Sequence, residues 1–237
     1  MKSIFITLIQ LCFLFSLNAQ NLIGAWESYS SSSEGEPLKS VLILADGYQV
    51  LTIYNMATGE FVHTNGGSWK LDGNIITELV EFHTDDPGKI GSEFSFKVEL
   101  TNNEIKIVDR AEVFKRIDDG TPGDLQGAWL MSGRVRDGKT QLRDTERPRK
   151  TMKILSGSRF QWVAYNTETK EFKGTGGGTY TTKDGIYTEN IEFFSRDKTK
   201  TGLSLKFDYE LINGDWHHKG LSSKGDPIHE IWSTRNK

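Results

Sequence analysis

The sequence predicts an all-β protein made of two tandem copies of one antiparallel domain, and three observations support this prediction. Residues 39–107 align without a gap on residues 150–218 at a constant offset of 111, with about a third of the positions identical. Apolar and polar residues alternate in segments such as 93–100, as in half-buried strands. Turn formers such as Asp46-Gly47 and Asp72-Gly73 separate these segments. Each copy is therefore expected to be a meandering antiparallel barrel or sandwich.

The individual strands follow from the same alternation. In the first copy they are predicted at residues 26–30, 40–44, 49–55, 68–71, 75–82, 93–100, 104–108 and 111–116. Gly24-Ala25-Trp26 matches Gly127-Ala128-Trp129 at offset 103, so the second copy carries eight extra residues before the aligned block. Gly66-Gly67 and Gly177-Gly178 predict a strand bend or bulge. The pattern does not indicate an amphipathic helix.

The chain divides into a leader, two domains and a linker. Residues 1–20 are predicted to be a signal peptide, because a lysine precedes an apolar run over 4–17 and a small residue follows. This run is too short and too terminal for a transmembrane helix, and it contains the only cysteine. The expected domains are 21–117 and 125–237, joined by a polar linker at 118–124. We therefore expect a periplasmic or secreted protein without disulfides or a transmembrane segment.

Charge is distributed unevenly between the two copies. The net charge of −3 argues against nucleic-acid binding, but residues 21–118 carry −8 and residues 125–237 carry +6. A basic segment contributes much of this difference: Arg134, Arg136, Lys139, Arg143, Arg147, Arg149, Lys150 and Lys153. It could dock on the acidic first copy or attract an anionic ligand group. Docking is the preferred interpretation.

Two equivalent glutamates are candidate ligand-binding residues. Glu78 is expected to share a strand face with Val80 and Phe82, and Glu189 with the corresponding residues of the second copy. A carboxylate in an apolar interior needs a partner or a raised pKa, so it would mark a polar point in a cavity. The other interpretation places both glutamates at the solvent-exposed rim.

Aromatic residues supply the remaining candidates for ligand binding. Tyr54 and Tyr165 could each direct a phenol into a pocket, or could simply end a strand before a turn. Trp162 and Tyr187 lie in the aromatic-rich second copy, where they could contact an apolar ligand, stack on a sugar or fill a core.

Cofactor and metal binding are not expected. The glycine-rich residues 174–178 lack the lysine and the following helix of a phosphate-binding loop. His217, His218 and His229 match no common metal-ligand spacing.

Short motifs in each copy resemble the small lipocalin-like β-barrels of secreted proteins from Gram-negative bacteria. They are an opening Gly-x-Trp, a central Gly-Gly-x-aromatic followed by Thr-Glu-x-x-Glu-Phe, and a closing Glu-x-aromatic with a nearby arginine. The resemblance implies two tandem up-and-down barrels that bind small hydrophobic or amphipathic molecules. It also implies that Trp26 packs with Arg116, and Trp129 with Arg235, as structural plugs at the closed ends.

The expected function is that of an exported, non-enzymatic binding protein for a small hydrophobic or amphipathic ligand. The alternatives are a tandem β-sandwich that binds a glycan on an aromatic face, a scaffold whose barrels are filled, and a barrel enzyme that uses Glu78 and Glu189. Paired carboxylates could serve glycoside hydrolysis in such an enzyme. Fold alone does not define function. A closed barrel with an open lumen would favour binding of a small hydrophobic or amphipathic ligand.

Overall fold

The computed structural model describes residues 22–110, 112–121 and 123–235. The first copy contains β1 (Gly24–Ser31), β2 (Pro37–Ala45), β3 (Tyr48–Asn55), β4 (Phe61–Asp72), β5 (Ile75–His83), β6 (Glu93–Leu100), β7 (Glu104–Ile107) and β8 (Val113–Asp118). The second contains β9 (Gly127–Arg136), β10 (Lys139–Leu142), β11 (Arg149–Leu155), β12 (Arg159–Asn166), β13 (Glu171–Lys183), β14 (Ile186–Phe194), β15 (Ser204–Ile212), β16 (Asp215–Leu221) and β17 (Pro227–Thr234). Short 3-10 turns lie at Pro87–Lys89 and Lys198–Lys200. The predicted signal segment, residues 1–20, lies outside the described residues.

Each copy closes into an eight-stranded antiparallel barrel. The first barrel runs from β1 to β8 in chain order and closes through pairing of β1 with β8. The second barrel closes through pairing of β9 with β17, and β10 forms an additional hairpin strand on β9. The predicted tandem barrels are therefore confirmed, and the sandwich alternative is wrong. Within the described part of the chain, no helix has the length and apolarity needed to cross a membrane.

The closed ends of the two barrels share one arrangement around the opening tryptophans. Trp26 Nε1 donates a hydrogen bond to the carbonyl of Leu22, and Trp129 Nε1 donates one to the carbonyl of Leu125, both at 2.9 Å. The guanidinium of Arg116 lies 3.9 Å from the ring centroid of Trp26. This is the contact that the family resemblance implies for the first copy.

Arg235 takes a different position from the one expected beside Trp129. It donates two hydrogen bonds to the Glu81 carboxylate, at 2.7 and 2.8 Å, and its guanidinium lies 4.1 Å from the ring centroid of Tyr48. The arginine comes one residue later in the second closing motif. Because side chains alternate between faces along a strand, a shift of one residue turns it away from the lumen and toward the first barrel.

A β-bulge lies opposite each glycine pair, as predicted. Gly66 pairs with Phe82 and Gly67 with Val80, so Glu81 is the extra residue on β5. A Cβ on Gly67 would lie only 1.9 Å from the Leu79 carbonyl oxygen, so this close approach requires glycine. The second barrel repeats the bulge on β14.

The bulge corrects the expected face of Phe82. Glu78 and Val80 line the lumen of the first barrel, but the extra residue changes the alternation and turns Phe82 to the outer surface. Phe193 is turned outward in the same way in the second barrel. The prediction that these phenylalanines share a face with the buried glutamates is therefore wrong.

The two barrels pack through these outer faces in a single apolar cluster. Its buried members are Ala25, Val41, Ile43, Ala45, Tyr48, Val50, Tyr54, Phe82, Ala128, Leu130, Met152, Ile154, Val163, Tyr165 and Phe193. Many of these residues are counterparts at the repeat offsets, so equivalent surfaces face each other. The interface therefore resembles an isologous dimer contact formed within one chain.

Two equivalent hydrogen bonds cross the barrel interface. The Tyr54 hydroxyl donates to Glu192 at 2.5 Å, and the Tyr165 hydroxyl donates to Glu81 at 2.6 Å. Each acceptor is the bulged residue of the opposite barrel, and burial raises the pKa of both phenols. Tyr54 and Tyr165 thus belong to the interface and not to a ligand pocket, because both lie on the outward faces of their strands.

The interface hydrogen bonds predict that removing one tyrosine hydroxyl measurably lowers the free energy of unfolding. We expect Tyr165→Phe to lower the free energy of unfolding by about 1–3 kcal/mol, because Glu81 loses a buried donor. Urea denaturation measures the effect, and Tyr29→Phe, at a side chain that is 56% exposed, is the control. Equal stability of the two variants would contradict the assigned role of the Tyr165 hydroxyl.

Candidate functional site

The lumen of the first barrel contains a cavity of about 380 Å³, which we call the lumen site. Apolar side chains from most strands form its wall, including Leu42, Leu51, Ile76, Phe96, Ile105 and Phe114. The volume lies at the small end of the roughly 300–1,000 Å³ that is typical of ligand pockets. The lumen of the first barrel therefore contains a cavity that its own side chains do not fill.

Glu78 provides the buried polar group of the lumen site. Its carboxylate accepts hydrogen bonds from Gln49 Nε2 at 2.5 Å and from Asn65 Nδ2 at 3.3 Å. Burial raises the pKa of Glu78, and the two amide hydrogen bonds and the charge of Arg110 offset this effect only in part. The structure places this carboxylate inside the barrel and not on the exposed rim.

The mouth of the lumen site lies at the end opposite Trp26 and carries several ionisable groups. They are His63, His83, Lys89, Arg110 and Glu112. His63 Nδ1 lies 2.8 Å from an Asp85 carboxylate oxygen, and the His63 and His83 ring centroids are 4.8 Å apart. Burial, together with the nearby His63, lowers the pKa of His83.

The second barrel is filled by its own aromatic side chains. Trp129, Phe160, Tyr187, Trp216 and Trp232 belong to one buried cluster, in which the Tyr187 ring centroid lies 5.1 Å from that of Trp216. The candidate Tyr187 is a fully buried member of this core. The candidate Trp162 packs against its edge, 5.4 Å from the Phe194 ring.

Glu189 occupies the position equivalent to Glu78, but it has a cation within the same barrel. Lys153 Nζ lies 2.7 Å from Glu189 Oε1, and both side chains are buried. The ammonium also lies 4.9 Å from the Trp216 ring centroid and 5.1 Å from that of Trp232. Because Glu78 and Glu189 lie inside separate closed barrels, they cannot act as paired carboxylates on one sugar.

Residue differences at equivalent positions explain why the first lumen contains a cavity where aromatic side chains fill the second. Tyr187 corresponds to Ile76, Trp216 to Ile105, Trp232 to Phe114 and Lys153 to Leu42. Each replacement in the first barrel shortens an inward side chain. The alignment of the two copies shows these residue differences. Their effect on the lumen volume can be inferred only when the inward face of each strand is known.

The basic segment lies mostly on the surface of the second barrel, except for Lys153, which is buried in the lumen. Met131, Arg134, Arg143 and Arg149 line a surface pocket of about 430 Å³ there. Arg134 donates to Gln141 at 3.1 Å, and Arg143 Nη1 approaches Met131 Sδ at 3.4 Å. Both contacts lie within the second copy.

A larger crevice of about 820 Å³ lies between the barrels near the linker. Tyr48, Trp69, Gly127 and Ser156 are among the residues that line it. Trp69 Nε1 already donates to the carbonyls of Ala45 and Tyr48, which indicates a structural role. The lumen site is the stronger ligand-binding candidate because it combines an apolar wall with a buried carboxyl group.

Comparison with known proteins gives little functional information. Residues 124–235 match the model of a family described as a domain of unknown function, DUF4488. This match corresponds closely to the second barrel. No curated protein matches the chain. Among the described residues, no group of three or more histidine, cysteine, aspartate or glutamate side chains is arranged to hold a metal ion.

The Lys153–Glu189 ion pair predicts that the free energy of unfolding depends strongly on both residues. We expect Lys153→Met to lower the free energy of unfolding by about 3–5 kcal/mol, because Glu189 remains buried without its cation. Adding Glu189→Gln should recover much of this loss. Urea denaturation at pH 7, with the exposed Lys219→Met as the control, tests this. Equal destabilisation in the single and double variants would contradict an important ion pair.

The raised pKa of Glu78 predicts a pH-dependent stability difference. The ionised Glu78 carboxylate destabilises the folded protein. This effect is absent below the pKa of Glu78 in the unfolded chain, and it is fully present above the raised pKa of Glu78 in the folded protein. The stability of Glu78→Gln relative to the unliganded wild type should therefore increase from pH 5 to pH 8. Each unit of pKa elevation contributes up to about 1.4 kcal/mol.

Chemical denaturation at several pH values measures this difference directly. Glu93→Gln, at an exposed position on β6, is the matched control. A Glu78→Gln advantage that shrinks as pH rises would show that burial does not dominate the ionisation of Glu78.

Proposed function

We propose that the protein binds a small, largely apolar molecule in the lumen of its first barrel. The observation that carries this proposal is the contrast between two copies of one fold: the first encloses about 380 Å³, and the second is filled by aromatic side chains. Apolar walls favour burial of a hydrophobic ligand, and the Glu78, Gln49 and Asn65 group provides one polar anchoring point.

The second barrel has a supporting role in this proposal. Its filled core and its contact with the outer faces of β2, β3 and β5 hold the wall of the first barrel in place. A preformed cavity limits the entropic cost of ordering the site when a ligand binds. The scaffold alternative therefore describes the second barrel better than the first.

The predicted leader sets the proposed location outside the cytoplasm, where small amphipathic molecules are available to an exported binding protein. A glycan is a less suitable ligand. Four of the six tryptophans are buried, and Tyr29 and Phe94 are the large aromatic side chains exposed in the described part of the chain. They do not form the extended aromatic face that stacking on a sugar chain requires.

Side chains from the second barrel offer a direct test of lumen binding. Ile76→Tyr and Ile105→Trp place the filling residues of the second barrel at equivalent positions in the first. We expect hexan-1-ol and benzyl alcohol to raise the Tm of the wild type and to lose this effect in the double variant, because the cavity is filled. At about 100 times its Kd, a ligand adds about 2.7 kcal/mol of stability.

The control is Ile75→Tyr, because the Ile75 side chain is 47% exposed on the outer face of the same strand. This variant should keep the response to both alcohols. Two results would contradict the proposal: no stabilisation of the wild type by either alcohol, or equal stabilisation of the wild type and the double variant.

A further inference from the structure

The second barrel shows how this fold satisfies its buried glutamate. Lys153 extends from β11 into the lumen, and its ammonium lies 2.7 Å from Glu189. Four aromatic rings surround the same ammonium, with centroids 4.9 to 5.9 Å away. Carboxylates and aromatic faces both stabilise an ammonium away from water. The second barrel therefore supplies the partner of its buried carboxylate from its own chain.

The first barrel keeps the carboxylate at the same position but replaces the ammonium. Leu42 corresponds to Lys153 at the repeat offset of 111, and both residues pair with the opening tryptophan strand at the same register. Leu42 lines the lumen site beside Glu78. Among the described residues, no ion pair to Glu78 is found. The space that the lysine side chain and the aromatic rings occupy in the second barrel is a cavity in the first.

We propose that the ligand of the first barrel carries an ammonium group, which binds Glu78 where the Lys153 ammonium binds Glu189. The proposal rests on ligand binding in the lumen site and names the chemical class of that ligand. The class is an alkyl or arylalkyl amine with a short apolar body. Ile76, Ile105 and Phe114 would contact this body, and the Gln49 and Asn65 amides would orient the carboxylate.

The ionisable groups that face the lumen site define the pH dependence of amine binding. In addition to Glu78 they are His63, His83, Lys89, Arg110 and Glu112. Burial raises the pKa of Glu78, so this carboxyl group gains its negative charge as pH rises, and that change favours a cation in the lumen. An aliphatic amine stays protonated between pH 5 and pH 8. Amine affinity should therefore increase between pH 5 and pH 8.

The experiment compares three molecules with the same apolar chain: hexylamine, hexan-1-ol and hexanoate. Isothermal titration calorimetry on the full mature chain at pH 8 measures their affinities. We expect hexylamine to bind about tenfold or more tightly than hexan-1-ol, because its ammonium adds a charge–charge attraction to the hydrogen bond with Glu78. Hexanoate should bind most weakly, because its carboxylate has the same charge as that of Glu78. In Glu78→Gln, the affinity ratio of hexylamine to hexan-1-ol should fall to near one.

A second variant tests the same site by supplying the ammonium internally. Leu42→Lys reproduces the residue of the second barrel, so its own ammonium should compete with hexylamine for Glu78 and weaken hexylamine binding about tenfold or more. Ile75→Lys adds the same charge at an exposed position and is the matched control. Retention of full hexylamine affinity by Leu42→Lys, in a protein that unfolds cooperatively, would overturn the proposal.

The outcomes separate this inference from the proposed function. Binding of hexan-1-ol without a preference for hexylamine would overturn the ammonium assignment and leave lumen binding intact. Failure of all three molecules to bind would overturn both. Tighter binding of hexanoate than of hexylamine would assign the dominant role to Lys89 and Arg110 and reject the ammonium.

Discussion

The β-bulge opposite each glycine pair is the constraint on which both the lumen and the barrel interface depend. A single strand, β5, supplies Glu78 to the lumen and then Glu81 and Phe82 to the neighbouring barrel. Regular alternation would return Phe82 to the lumen, and only an inserted residue sends two consecutive side chains outward. Gly66 also leaves room for the Phe82 ring, which would lie 2.7 Å from a Cβ at that position.

The two barrels show two ways of accommodating a buried carboxyl group. In the second, a lysine side chain compensates Glu189, and the desolvation cost of both charges is offset by close contact and by the surrounding rings. In the first, two amides stabilise Glu78, and its raised pKa reflects incomplete compensation. A cavity and an incompletely compensated carboxyl group both lower stability, so the filled second barrel and the apolar interface contribute stability that the first barrel does not supply itself.

Much of the fold could be predicted because the repeat and the strand alternation are local properties of the sequence. Gly66-Gly67 indicated the bulge, but the pattern could not show which residues turn outward after it. The role of Tyr165 was missed for a related reason: its partner, Glu81, is 84 residues away and becomes a neighbour only when the barrels pack. The strand at Lys139–Leu142 was also missed, because all four of its residues are exposed and leave no alternating pattern.

The candidate site was accessible to sequence reasoning only in part. Glu78 was identified because its counterpart Glu189 kept the same residue type in a strand of alternating polarity. The cavity around it depends on differences such as Ile105 against Trp216, and these change the lumen volume only if both side chains point inward. That orientation is a property of the closed barrel and its bulges, which the strand pattern does not determine.

Rigid packing on one side of the first barrel has a further consequence for binding. Its wall at β2, β3 and β5 is held by the second barrel, whereas the mouth is formed by connections that include the 3-10 turn at Pro87–Lys89. In the proposed function, a ligand would enter through these connections while the strands that carry Gln49 and Glu78 remain in place. Because the polar group is held in place before binding, the proposed site would lose little binding energy in ordering it and would select even a small molecule.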